Sequence, residues 1–236
     1  QDGTTNIVLS NPNAVAGTTY TWTVSASANV TGASADATGT LSVIAQSLGL
    51  SDDNAGTVTY TITPESGAGC VGSSVEVIVT VNPQPDATAT DETICSGSTT
   101  NIAITNPNGV GATYTWTVFS NTGGVIGAVP GNGTVIAQTL TNPTNVPQTV
   151  TYRITPRSAA GCDGPVFDVD AVVDPSPTVQ AVPSAQTICQ DGTTNIVLSN
   201  PNAVAGTTYT WTVSASANVT GASADATGTL SVIAQS

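Results

Sequence analysis

The residues in this chain that could do chemistry are four cysteines, fifteen acids, three tryptophans and many hydroxyls, with no histidine and no lysine to serve them. A serine nucleophile has no ordinary base here, so hydrolytic catalysis is not expected. Metal binding through sulfur needs clustered Cys or His, and Cys70, Cys95, Cys162 and Cys189 are widely spaced. Paired thiols in an oxidising, extracellular setting are the better reading of these four. The acids Asp52, Asp53, Asp86, Asp91 and Glu92 fall in one turn and around one linker, where oxygens for calcium would be wanted. No DxDxDG loop accompanies them, so solvated carboxylates are expected and no cofactor is implied. Trp22, Trp116 and Trp211 could stack on sugars, but each sits in an alternating run that turns it inward, so core tryptophans are expected, with Tyr60 and Tyr152 beside them.

Arg153 and Arg157 are the sole cations against fifteen acids, a formal net charge of −13. Such a chain repels phosphate backbones and anionic lipid, which excludes nucleic acid and an anionic membrane surface as partners. No apolar run approaches the ~18 residues of a membrane span.

The elements that must position these residues come from repetition. Gln1–Ser47 recurs letter for letter as Gln190–Ser236, an offset of 189 residues. Inside that period, Thr19–Val24 (TYTWTV) returns at Thr113–Val118, and Val58–Pro64 returns as Val150–Pro156. Gly69-Cys70 matches Gly161-Cys162. The period therefore holds two diverged modules of about 95 residues, a length that suits an immunoglobulin-like sandwich. The expected domains are 1–83 (module A, lacking its first strand), 86–175 (module B) and 178–236 (a partial copy of module A lacking its last strands). The chain reads as a window cut from a longer periodic polymer.

Every segment alternates with period two. Tyr20, Trp22 and Val24 share a face against threonines, as do Val58, Tyr60 and Ile62. Asn11-Pro12-Asn13, Asn106-Pro107-Asn108 and Gly131-Asn132-Gly133 carry turn chemistry. The fold class is all-β: tandem immunoglobulin-like sandwiches in a linear string. In module B the first strand is expected near Thr88–Ile94 and the last over Val166–Val173, with Asp168 and Asp170 guarding an edge. Pro83-Gln84-Pro85 and Pro175-Ser176-Pro177 read as stiff linkers.

Cys95-Ser96-Gly97, Tyr114-Thr115-Trp116, Tyr152-Arg153-Ile154-Thr155-Pro156 and Gly161-Cys162 together resemble the PKD-like repeats of giant surface proteins in Bacteroidetes. These include the mobile adhesins of gliding bacteria, exported by the type IX secretion system. The resemblance implies an extracellular, cell-surface location and a non-catalytic stalk or adhesin. The partners are then neighbouring repeats of the same chain, or other copies in a filament. A module binding a glycan or protein, and a fibre subunit completed by strand exchange, are the alternatives.

Each module has one cysteine ahead of its second strand (Cys95, Cys189) and one in its last hairpin (Cys70, Cys162). The expected pair is Cys95 with Cys162, a loop worth about 3–4 kcal/mol. Cys70 and Cys189 would then find partners outside the window. In a strict sandwich, however, those two turns lie at opposite ends, beyond the ~7 Å reach of a disulfide. A bond across a module junction, or a Cys70–Cys95 clip over the linker, stays open.

Overall fold

The computed structural model describes residues 3–236. Module A contains β1 (Gly3–Thr4), β2 (Ile7–Val8), β3 (Thr19–Ala26), β4 (Val30–Thr31), β5 (Val43–Ile44), β6 (Ser47–Leu50), β7 (Gly56–Glu65) and β8 (Val75–Val81). Module B contains β9 (Glu92–Cys95), β10 (Ile102–Ala103), β11 (Ala112–Asn121), β12 (Gly131–Asn132), β13 (Val135–Ile136), β14 (Gln148–Ser158) and β15 (Phe167–Asp174). The third segment holds β16 (Gln180–Val182), β17 (Ile196–Ser199) and β18 (Val232–Ile233). One 3-10 turn at Thr122–Gly124 interrupts an otherwise all-β architecture.

The modules are immunoglobulin-like β-sandwiches. In module B the larger sheet runs β12-β11-β14-β15-β9, faced by the β10-β13 pair. In module A the sheet β3-β7-β8 faces β2-β5 and β1-β6-β4. Alternation drives both. Val58, Tyr60 and Ile62 on β7, and Val150, Tyr152 and Ile154 on β14, point into the core while their threonines and Arg153 point out. Tyr60 and Tyr152 have no exposed surface, and Trp22 and Trp116 are buried against them.

Three local expectations are corrected. The segment Thr88–Ile94 is not one strand: Thr88 bridges Thr105 on the small sheet, then β9 crosses to pair in parallel with β15. Gly131–Asn132 is a strand rather than a turn, because Trp116 lies on Gly131 and leaves no room for a side chain; a Cβ there would sit 2.5 Å from the indole. β9 pairs only with Ala171–Asp174 of β15, so Asp168 keeps an edge position, held there by Arg153, while the Asp170 N–H is taken by Asp91. Trp211 is half-buried rather than a core residue. Leu198 is the one buried hydrophobic residue described in that segment.

Candidate functional site: the inter-module junctions

Where β8 ends, the chain passes through Pro83-Gln84-Pro85, whose prolines donate no backbone hydrogen bond. The turn Asn106-Pro107-Asn108 of module B closes over this linker. Asn106 builds the turn by donating from Nδ2 to Val110 O (2.5 Å) and accepting from Gly109 N (3.1 Å). Gly109 takes the positive φ of 72° that the turn demands. The Asn108 amide is thereby aimed at the linker. Its Nδ2 donates to Gln84 O at 3.0 Å, and its Oδ1 accepts from Asp86 N at 3.1 Å. The same Nδ2 also reaches Asp53 Oδ1 in module A at 3.3 Å. One side chain thus grips both sides of Pro85 and touches the preceding module.

The second junction repeats the device. Asn202 Oδ1 accepts from the backbone N of Thr178 (3.0 Å) and its Nδ2 donates to Ser176 O (2.9 Å). Asn145, in the turn corresponding to Asp53, donates to Ala203 O (3.4 Å). The Asn-Pro-Asn motif, readable in sequence only as a turn, is a linker clamp. The signal available was its recurrence at a near-constant distance beyond each proline linker.

The last hairpin of module B also seats on the linker. A Cβ at Gly164 would lie 1.8 Å from Pro85 O, so only glycine permits this approach. Cys162, in the same hairpin, lines a cavity of about 420 Å³ with Gly3, Thr4, Thr5 and Gln84.

The four cysteines are free. The expected Cys95–Cys162 bond is not formed, and topology explains why. Cys95 pairs with Asp174 at one end of β15, whereas Cys162 lies beyond Phe167 at the other, and the strand between those ends is eight residues long. At about 3.3 Å per residue the gap is far too long to bridge. The Cys70–Cys95 clip is likewise absent.

The acids proposed for calcium are not brought into one site. Asp52 accepts from the Asn29 amide and from Asn54 N, which holds its carboxyl below the usual range. Asp53 meets Asn108, Asp86 caps Ala87 N, Asp91 accepts from Asp170 N, and Glu92 accepts from Asn101 N. Among the described residues no three metal-ligating side chains cluster.

Two arrangements escaped the sequence reading. The repeated Val-Ile-Ala-Gln motif places Gln46 and Gln138 as interior brackets. Gln138 Oε1 accepts from Tyr152 OH (2.8 Å) and Val129 N (3.0 Å), while its Nε2 donates to Val129 O (2.7 Å). Gln46 does the same for Tyr60 and Ser34. Burial pushes the Tyr152 hydroxyl up to about 12 and raises that of Tyr60. Secondly, Arg153 forms a bidentate pair with Asp168 (2.8 and 2.7 Å) and lies 3.4 Å from the Phe119 ring centre. The hydrogen bonds from Arg153 hold Asp168 below the ordinary carboxylate value.

Module A also holds a cleft of about 460 Å³ between its sheets, lined by Ile7, Leu9, Tyr20, Ile62, Val75 and Val77. In module B, Ala87, Ala89 and Ile94 pack against the core.

A family model described as PKD-like domain matches residues 1–85, 92–177 and 186–234. The chain belongs to the PKD-like family. No curated protein matches it. Among solved structures, extracellular cadherin domains 3–6 of protocadherin gamma B2 match at 12% identity and TM-score 0.30, over 85% of this chain and 61% of that one. The extracellular domain of protocadherin gammaB4 matches at 9% identity and TM-score 0.29, over 77% and 34%. The chain spans less than two thirds of either, and likenesses this distant carry no functional argument. No helix among the described residues is long and apolar enough to cross a membrane.

Proposed function

We propose that these PKD-like modules form a repetitive, non-catalytic stalk of an extracellular bacterial adhesin or surface filament, projecting a distal binding region from the cell. The limits 1–83, 86–175 and 178–236 would mark its units. The observation that carries this reading is the shared construction of the two junctions. Asn108 and Asn202 hold the two linkers through equivalent amide contacts. A clamp that recurs from one junction to the next sets one angle between neighbours, and repeated angles produce a regular rod. Each hydrogen bond contributes roughly 0.5–1.5 kcal/mol, enough together to restrain a proline linker that is already stiff. The letter-for-letter recurrence of Gln1–Ser47 after 189 residues supports the same role, because turns tuned to different ligands would not be copied unchanged. The acidic surface keeps parallel stalks apart. The resemblance to Bacteroidetes surface repeats supplies the proposed source and the type IX export route.

Small-angle scattering of a four-module chain tests the proposal. A maximum dimension that grows in proportion to module number is expected, and Asn108→Ala with Asn202→Ala should broaden the distance distribution without unfolding the modules. A compact particle, or one whose mass rises with concentration, would overturn it.

A further inference from the structure

The cysteines found free within modules face the junctions. Cys95 ends β9 beside Asp174, at the end of module B from which the next linker departs. Its turn is fixed by Ser96 N donating to Asp174 O (2.8 Å) and by Ser176 Oγ on that linker donating to Ser96 O (3.1 Å). Cys162 occupies the opposite end, in the hairpin that rests on Pro85. There it lines one cavity with Gly3, Thr4 and Thr5 of module A. By the repeat, Gly3 corresponds to Gly192, three residues after Cys189. The place beside Asp174 that Cys95 holds in module B is matched in module A by the place beside Asn82, which lines the same cavity as Cys162.

Burial agrees. Cys70 and Cys162 sit in the same turn, each with its N–H bonded to a serine Oγ at 3.1 Å (Ser66 and Ser158). Cys70 is exposed, whereas Cys162, set against Gln84 and the Gly3–Thr5 segment of module A, is half-buried.

We propose that the cysteine ahead of the second strand of each PKD-like module forms a disulfide with the last-hairpin cysteine of the module that follows. Cys162 then pairs with the cysteine preceding the Gly3 strand, and Cys95 with the hairpin cysteine of a succeeding module. The inference rests on modules following one another in series and not on an adhesive role. Formation is an ordinary exchange. Two thiols give up two protons and two electrons, one Sγ–Sγ bond forms, and the S–S bond of an oxidised glutathione breaks to yield two reduced glutathiones. Every junction would be closed covalently as well as by its asparagine, while each module stays free of internal cross-links.

The test is the full chain extended ahead of Gln1 by the residues found at Gln186–Cys189, oxidised with glutathione disulfide. Cleavage after Arg153 and Arg157 separates the peptide bearing the added cysteine, Cys70 and Cys95 from the one bearing Cys162 and Cys189. The two peptides should remain joined until reduction, with three of the five thiols open to alkylation and the added cysteine mapped to Cys162. Cys162→Ser in the extended chain should leave all four remaining thiols reactive in the monomer. A Cys95–Cys162 or Cys70–Cys95 bond, a link from the added cysteine to Cys70, or five reactive thiols in a folded extended chain would each overturn the pairing. An elongated scattering profile combined with any of those results would remove the disulfide and leave the stalk standing.

Discussion

Modules A and B share an interior and differ at their margins. In both, a tyrosine on the central strand donates a hydrogen bond from its hydroxyl to the glutamine of a Val-Ile-Ala-Gln motif, and a tryptophan packs alongside. Module B carries the Arg153–Asp168–Phe119 group on its outer face. At the matching outer positions module A pairs Thr61 with Glu76. The interior is thus common to the repeat and sets the fold, whereas the outer faces have diverged. Core substitutions should act alike in the two modules, and marginal ones should separate them.

The largest effect is expected in the core. Truncating Tyr152 to alanine removes a fully buried ring and orphans the Gln138 bracket, for a cost of about 3–5 kcal/mol. Tyr60→Ala should cost module A a similar amount. Calorimetry of each variant should show one transition displaced downward and the other unmoved. Displacement of both by one substitution would show that the junction couples the modules into a single unfolding unit.

Next comes the bracket itself. Gln138→Ala leaves the Tyr152 hydroxyl and both Val129 backbone groups without their partner, a loss of roughly 1–3 kcal/mol read from denaturant midpoints. Gln46→Ala should do the same in module A, where the glutamine serves Tyr60 and Ser34. Unequal losses would break the claim that the interiors are equivalent.

The comparison also shows what a sequence of this kind reveals. Period-two alternation in β7, β8, β14 and β15 was readable because each face meets a different solvent, and the sandwich followed from it. Contacts made by amide side chains were not readable. Asn108, Asn202, Gln46 and Gln138 are polar residues in loops or beside short strands, and nothing in their local pattern says which backbone group they meet. Their recurrence alone marked them. The Cys95–Cys162 expectation failed for a topological reason: β9 runs parallel to β15, which fixes its cysteine at the far end of the sheet. Asp168 does lie on the stretch of β15 that β9 leaves unpaired, and its bidentate pairing with Arg153 was not readable.

The smallest effect belongs to the outer face of module B, and its pH dependence gives it a signature. Arg153→Ala removes two hydrogen bonds to Asp168 and the contact with Phe119, at a place where solvent screens charge. Only a lowering of a few degrees in the module B transition is expected, with none in module A. Asp168 is held below its ordinary value of 3.8 in the folded chain, so its pairing stabilises fully above that pH and is lost as pH falls through the depressed value. The gap between wild type and Arg153→Ala should therefore be constant from neutrality to about pH 5 and close on further acidification. Tyr152 titrates at the other extreme. Its hydroxyl is raised to about 12, so burying it neutral stabilises module B below pH 10, and that contribution fades as pH climbs from 10 toward 12. Tyr152→Phe should remove this alkaline loss while leaving the acid limb intact. An acid limb that persisted in Arg153→Ala with its original amplitude would assign it to Asp36, Asp52 and Asp225, carboxyls also depressed, by Thr38, Asn29 and Thr227, none of which lies in module B.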